Sequence, residues 1–200
     1  MKTKMKWMAI AAVAMLAMTG LMSCNCKPAA ADATPDDSLA TDSTLLMAID
    51  RYLIDSIGAF YAPGQLCIPC YDIVAIADSA DAGIKVWGDF WVFNYNIAGD
   101  TLKTVSGGSH PGLMHIAKKD KVYVVTAFDV VLDGSENLPS AKRIFGDKYE
   151  AFHAINSDEA KREATRARAL ALYAKRNDLP VKFYQDYGWP AKPLFKDSKD

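Results

Sequence analysis

The stretch "CIPC" sets two thiols, Cys67 and Cys70, either side of Ile68 and Pro69. Such a pair can exchange disulfides, Cys67 attacking and Cys70 resolving, where a helix N-terminus stabilises the thiolate. That chemistry needs a helix directly after the pair. Here the pair follows Pro63-Gly64, a helix stop, and leads into the alternating run "YDIVAIA" (71–77), so the dipole is missing. Packing, or a structural disulfide in an oxidising compartment, is the first reading, and thiol–disulfide exchange is an alternative. A zinc-binding module is a second alternative, since His110 and His115 have the spacing of the second half of a Cys2His2 site. Against it, the gap between the two halves is far longer than in a zinc finger, and the halves fall on different strands. A half-exposed sheet histidine accounts for His115, so no metal or other cofactor is expected.

The loop-like "SGGSHPG" (106–112) has the glycines of a phosphate cradle, but a strand follows it where a helix N-terminus would be required. A hairpin connection or bulge is the expectation, with His110 at its tip and free for function. No serine or carboxylate can be assigned as its partner, so a catalytic triad is unsupported and enzymatic activity is not expected. Trp87, Trp91 and Tyr95 could stack on a sugar or an apolar ligand, and with His110 they form the candidate ligand-binding set. Lys161, Arg162, Arg166, Arg168, Lys175 and Arg176 crowd one stretch, with Glu159 and Glu163 interleaved. A solvated outer helix face is the reading of that stretch.

Three kinds of element must position these side chains. Asp42 or Ser43 caps a helix whose apolar stripe is Leu45, Leu46, Ile49, Leu53, Ile57 and Phe60. Period-two runs follow at 71–77, 84–98, 101–107, 112–119 and 121–131, separated by turn residues. Connections this short require antiparallel neighbours. The run at 84–98 is apolar on both faces, with Trp87, Trp91, Phe93 and Tyr95 on one side and Val86, Phe90 and Val92 on the other. It must be covered twice or line a pocket. The helical period returns from Ser140 and again after Ser157-Asp158, where Ala160, Ala164, Ala167, Ala171 and Ala174 form a stripe. The tail "VKFYQDYGWPAKPLF" is aromatic and proline-rich, suited to strapping the sheet. The expected fold class is α+β: an N-terminal helix, a curled antiparallel sheet of four to five strands, and C-terminal helices.

The N-terminus carries Lys2, Lys4 and Lys6 ahead of an uncharged apolar stretch from Met8 to Met22, the pattern of a secretory signal. Leu21-Met22-Ser23-Cys24 resembles the lipobox of bacterial lipoproteins. That resemblance implies cleavage after residue 23, acylation of Cys24 and attachment to a membrane through several acyl chains, which hold where one would not. Asn25 in place of the Asp that retains such proteins in the inner membrane implies an outer-membrane, periplasm-facing lipoprotein. Residues 24–41 bury almost nothing and suit a disordered tether. Residues 42–200 are the length of a single domain with its own core. The chain holds 23 basic and 24 acidic residues, and losing the three signal lysines leaves 20 against 24, about −4. That is no footprint of a nucleic-acid binder.

"VWGDFWVFNYNIAGDTLKTVSGGSHPGLMHI" and "DGSENLPSAKRIFGD" resemble small envelope lipoproteins of gut-type bacteria, a domain family of unknown function. The same order of motifs is similar to an extracytoplasmic module of antibiotic-sensor proteins in Gram-positive bacteria. Helix followed by curled sheet is also the element order of cystatin-like and nuclear-transport-factor-like folds. These likenesses imply a secreted α+β module and no activity. The expected function is a lipid-anchored envelope lipoprotein whose domain binds an envelope protein or a small ligand.

Overall fold

The computed structural model describes residues 42–79, 83–120 and 122–195. The signal, the lipobox with Cys24, and the tether to residue 41 lie outside the described residues. Asp42 is the N-cap of α1 (Ser43–Tyr52): its carboxylate accepts from the Thr44 amide at 2.9 Å and its other oxygen accepts from Tyr123 Oη at 3.0 Å. α1 then widens into a π-turn (Leu53–Ile57) and tightens into a 3-10 turn (Gly58–Phe60). Leu45, Ile49 and Leu53 are fully buried as the stripe requires, but Phe60 is 88% exposed. The wider turn shifts the helix face, so the stripe ends before Phe60.

Four long strands follow, each antiparallel to the next: β1 (Leu66–Ser79), β2 (Gly83–Ala98), β3 (Thr101–Lys119) and β4 (Val122–Val130). The sheet curls because each pairing carries one register shift, at Ile73/Ala75, Asn94/Tyr95 and His115/Ile116. An extra residue on one strand bends it and strengthens its twist. The "SGGSHPG" segment is not a turn. β3 runs straight through it, paired to β2 from Thr101 to Ile116. Gly107 explains its composition: it holds φ at +143°, and a Cβ there would lie 2.3 Å from the Val92 carbonyl. The glycine serves close strand approach, not chain reversal.

Three helices and two short strands complete the α+β fold. These are α2 (Asn137–Phe145), α3 (Tyr149–Asn156), α4 (Glu159–Arg176), β5 (Phe183–Gln185) and β6 (Lys192–Pro193). α2 begins three residues before Ser140, whose hydroxyl bridges the Asn137 carbonyl and the Leu132 amide from a fully buried position. The tail does not strap the sheet. β5 extends it, parallel to Thr101–Lys103 of β3, and β6 pairs with β5.

β2 is covered on both faces, as its two apolar sides demand. One face, with Val86 and Phe90, packs on Leu45, Ile49 and Leu53 of α1 and on Met114 and Ile116 of β3. The other face packs Tyr95, with Ile68 and Leu102, beneath Leu170 and Ala174 of α4 and beside Tyr184 of β5. A satellite cluster joins Val131 to α2 and α3, where Phe145 and Phe152 stack at 4.0 Å. The alanine stripe of α4 makes this contact only in its second half: Ala174 is buried with Ala167 and Ala171 packed beside it. Ala160 and Ala164 are exposed, and Arg162, Thr165 and Arg166 turn inward there instead.

Phe90 is the central residue of the α1-side core, fully buried and edge-on to Phe128 at 5.5 Å. Phe90→Ala is expected to lower unfolding free energy by about 3–5 kcal/mol, read from urea denaturation. A loss below about 1 kcal/mol would mean that α1 does not seal that face.

Candidate functional site

Cys67 and Cys70 both lie inside β1, not in a loop ahead of it. Residues three apart on a strand point to opposite faces. Cys67 pairs with Asn94 and sits against Gly58 on the α1 side; Cys70 pairs with Trp91 on the α4 side. Both are free thiols. Burial raises the pKa of Cys67, with the nearby Asp55 charge adding to it, and burial pushes Cys70 up to about 12. The arrangement therefore has none of the features that activate an exchanging pair: the sulfurs do not face each other and neither thiolate is stabilised.

The zinc set is not gathered either. Along β2, Cys67 lies opposite Asn94, Cys70 opposite Trp91, His110 opposite Phe90 and His115 opposite Lys85. At about 3.3 Å per residue the first and last positions are about 30 Å apart. Among the described residues no three His, Cys, Asp or Glu side chains cluster as metal ligands. His115 is bonded to Asp129 at 2.8 Å on the outer strand pair.

His110 is not at a loop tip. It is half-buried within β3, with Nε2 2.9 Å from Tyr61 Oη, and burial lowers its pKa. Trp87, Trp91 and Tyr95 share the opposite face, so the four candidates form no common site. Trp87 donates to the Ile144 carbonyl at 3.0 Å and lies under the Lys148 ammonium. Trp91 is 3% exposed and Tyr95 fully buried, so they have little or no ring face left for a ligand. They are the floor on which a different site is built.

That site begins with charges under α4. Asp89 is fully buried, and it accepts from Ser109 Oγ at 2.7 Å and from Asn156 Nδ2 at 2.9 Å. Arg162 lies 3.5 Å from Asp89, within ionic reach, and stacks over Trp91 at 5.2 Å. Its Nε and the Oδ2 of neighbouring Asp72 are buried without hydrogen-bond partners. One turn on, Arg166 donates from Nε to Tyr95 Oη at 3.0 Å and forks onto both oxygens of Asp186 at 2.7 and 2.8 Å. Thr104 Oγ1 bonds both partners of this fork. The guanidinium also covers the Phe93 ring at 4.0 Å.

The fork fixes the chain where it leaves β5. The Trp189 amide donates to the Asp186 carbonyl at 2.6 Å, and Gln185 Nε2 donates to the Trp189 carbonyl at 2.8 Å. The turn is sharp enough to hold Tyr187 at φ +34° and Gly188 at φ +85°. Between this turn and α4 runs an open groove of about 520 Å³. Phe93, Tyr184, Tyr187, Trp189 and Pro190 supply its apolar lining, and Glu159, Glu163, Arg166, Asp186 and Lys192 its charges. Lys192 bonds Glu163 at 2.8 Å across it. A smaller hollow of about 130 Å³, sharing Phe93, Glu159, Glu163 and Arg166 with the groove, continues toward Trp91.

A larger hollow, about 630 Å³ between α1 and the start of β4, is less suited to binding. Among the described residues its one ion pair, Arg51 and Asp55 at 3.9 Å, stands 83% and 66% exposed, so its charges are loosely held. A ligand site needs a few polar groups held in place beside apolar surface. The groove at α4 has them.

No protein-family model, curated protein or solved structure matches the chain. What the groove can bind follows from its own chemistry. Its main residues, Arg166, Asp186, Tyr187 and Trp189, were outside the candidate set read from the sequence. For Asp186, Tyr187 and Trp189 the signal was the tail itself, where aromatic residues crowd between glycine and prolines with no core periodicity. Arg166 stood in the basic stretch read as a solvated face, but its side chain is only 11% exposed because it turns inward to Asp186.

Two outcomes are expected. Peptide mapping after native alkylation at pH 8 should find Cys70 protected and Cys67 labelled slowly, both labelling fully in denaturant; rapid labelling of Cys67 would restore the exchange chemistry. Burial alone would raise the pKa of Asp186, but the bonds from Arg166 and Thr104 hold it below the ordinary 3.8. Its contribution is therefore complete above that value and drains away as pH falls through the lower native one. Asp186→Asn should cost about 2–3 kcal/mol near neutral pH, less than breaking a fully buried pair, because the Asp186 side chain is 25% exposed. The variant should also flatten the acid limb of stability against pH. An unchanged acid limb would show that the fork does not hold the turn.

Proposed function

We propose that this chain is a lipid-anchored lipoprotein of the bacterial outer membrane, facing the periplasm, whose α+β domain binds a ligand in the groove beside α4. Residues 1–23 are removed as the signal, Cys24 carries the acyl chains, and residues up to 41 tether the domain. The basic n-region, the apolar stretch and the lipobox-like Leu21-Met22-Ser23-Cys24 support the anchor. Among the described residues no helix is long and apolar enough to cross a membrane.

The observation that carries the binding reading is the fixed turn at Asp186–Trp189. Tyr187 and Trp189 are 65% and 69% exposed on a segment locked from beneath by a buried arginine. Large aromatic surface left in water on rigid backbone favours a partner that covers it. The groove lining holds carboxylates, an arginine and a lysine, but no serine, cysteine or histidine. It is furnished to hold a molecule, with fixed charges set beside aromatic surface.

Expressed in a lipoprotein-processing bacterium, the full chain should incorporate labelled palmitate and fractionate with the outer membrane. Cys24→Ala should abolish incorporation and release the domain from the membrane fraction. Globomycin should block maturation of the precursor. Unlabelled, normally processed protein would overturn the anchor.

A further inference from the structure

Four of the five charges lining the groove are already matched to one another. Arg166 is forked onto Asp186 and Lys192 onto Glu163. Arg162, in the adjoining hollow, is paired with Asp89, so among the described residues Glu159 is the one charge of the groove lining without an ion partner, and it is exposed to water. An anionic ligand would have to break a formed pair before gaining one. A cationic ligand would meet only Glu159, a single carboxylate exposed to water, where an ion pair contributes little. A wholly apolar ligand would strip water from Glu159, Glu163 and Lys192 without replacing its hydrogen bonds, which is unfavourable. The matching chemistry is neutral, rich in hydroxyls and able to lie flat on an aromatic ring.

We propose that the groove is a carbohydrate site, in which a neutral oligosaccharide stacks a ring face on Trp189 and Tyr187 and bonds its hydroxyls to Glu159, Glu163 and Lys192. This rests on the reading of the groove as the ligand site. Each sugar ring has C–H faces that pack on aromatic surface and hydroxyls around its rim that both donate and accept. Each carboxylate has about four acceptor directions, and the Lys192 ammonium three donors, of which one is taken by Glu163. Ion pairs with unused lone pairs and N–H groups can therefore bond hydroxyls without being broken.

The backbone supports the same assignment. A bulky residue at positive φ is strained, and such strain persists where it places a side chain for use. Tyr187 at +34° is held so by the Arg166–Asp186 fork and the Gln185–Trp189 bond. The platform is thus rigid before a ligand arrives, and little ordering is needed on binding. At about 520 Å³ the groove lies within the usual range of ligand pockets, and the adjoining 130 Å³ hollow lengthens it along α4. That shape fits a short chain of rings.

The test uses the purified full chain in detergent. Binding is measured against a panel of neutral oligosaccharides, an acidic oligosaccharide set and a proline-rich peptide, the other class that aromatic grooves accept. Titration calorimetry and tryptophan emission are the readouts. At least one neutral oligosaccharide should bind and quench or shift the Trp189 emission. Trp189→Ala should weaken it about tenfold or more, whereas Trp189→Phe, which keeps a stacking face, should stay within about threefold. Glu163→Gln, which still accepts from a hydroxyl, should bind better than Glu163→Ala. The exposure of Trp189 lets its variants fold, which circular dichroism checks. Failure of every neutral oligosaccharide at millimolar concentration, or binding indifferent to Trp189→Ala, overturns the proposal. If the proline-rich peptide binds instead and is lost in Trp189→Ala, the sugar assignment falls while the groove stands as the ligand site. A ligand captured from envelope extract equally by wild type and Trp189→Ala would remove the groove as well.

Discussion

A guanidinium pulled out of water must be matched on every side, and the α4 face of this protein is arranged around one such group. Arg166 keeps only 11% of its side-chain surface exposed. Its donors reach Tyr95 on β2, Thr104 on β3 and Asp186 after β5, while its flat face covers Phe93. Three strands and one helix are thereby fixed relative to a single charge. The net stability from such an arrangement is small, because desolvation offsets most of the attraction. Its geometric consequence is large: each partner must be present and in register, or the charge is left buried alone. The tail is thus held at one angle, and the groove has one shape.

The two faces of the sheet differ in kind, and the difference is the structural basis of the binding proposal. On the α1 side, Leu45, Ile49, Leu53, Val86, Phe90 and Met114 are all fully buried and make an apolar core. On the α4 side, the apolar cluster of Tyr95, Leu102, Leu170 and Tyr184 gives way toward the helix start to Asp89, Arg162 and Arg166. A face that only had to seal the sheet would favour the first composition, since burying polar groups requires full compensation. Asp72 Oδ2 and Arg162 Nε show that compensation here is incomplete. Local departures from apolar packing of this kind are concentrated at functional or strained sites in proteins generally.

Much of the fold was legible in the pattern of apolar residues. The period change after Pro63-Gly64, the two greasy sides of β2 and the cap at Asp42 each follow from local chemistry that tertiary structure did not override. The misreadings share a cause. "SGGSHPG" has the composition of a turn, but composition does not distinguish a glycine needed for chain reversal from one needed because Val92 lies against it. The alanines of α4 present a stripe as good as any, yet the helix is rolled so that Arg162 and Arg166 reach carboxylates on β2 and the tail. Those carboxylates are 73 and 20 residues away in sequence. Nothing within the helix records where its ion partners will be.

The cysteine pair shows the same limit from the other side. Two thiols three residues apart are close on a helix or in a tight loop, and far apart in direction on a strand. The alternating run "YDIVAIA" was visible in the sequence, but the strand begins five residues earlier, at Leu66, and so takes in both cysteines. Pro69 within it disguises this, because a proline is excluded from a central strand and tolerated at an edge. Among the described residues β1 is an edge strand: β2 lies on one side of it and no other strand on the other. The proline removes a donor from an exposed row that could otherwise pair with another chain. Read this way, "CIPC" is two packing residues facing opposite layers, joined by a residue that blunts the sheet edge. The chemistry its spacing suggests is cancelled by the backbone it sits on.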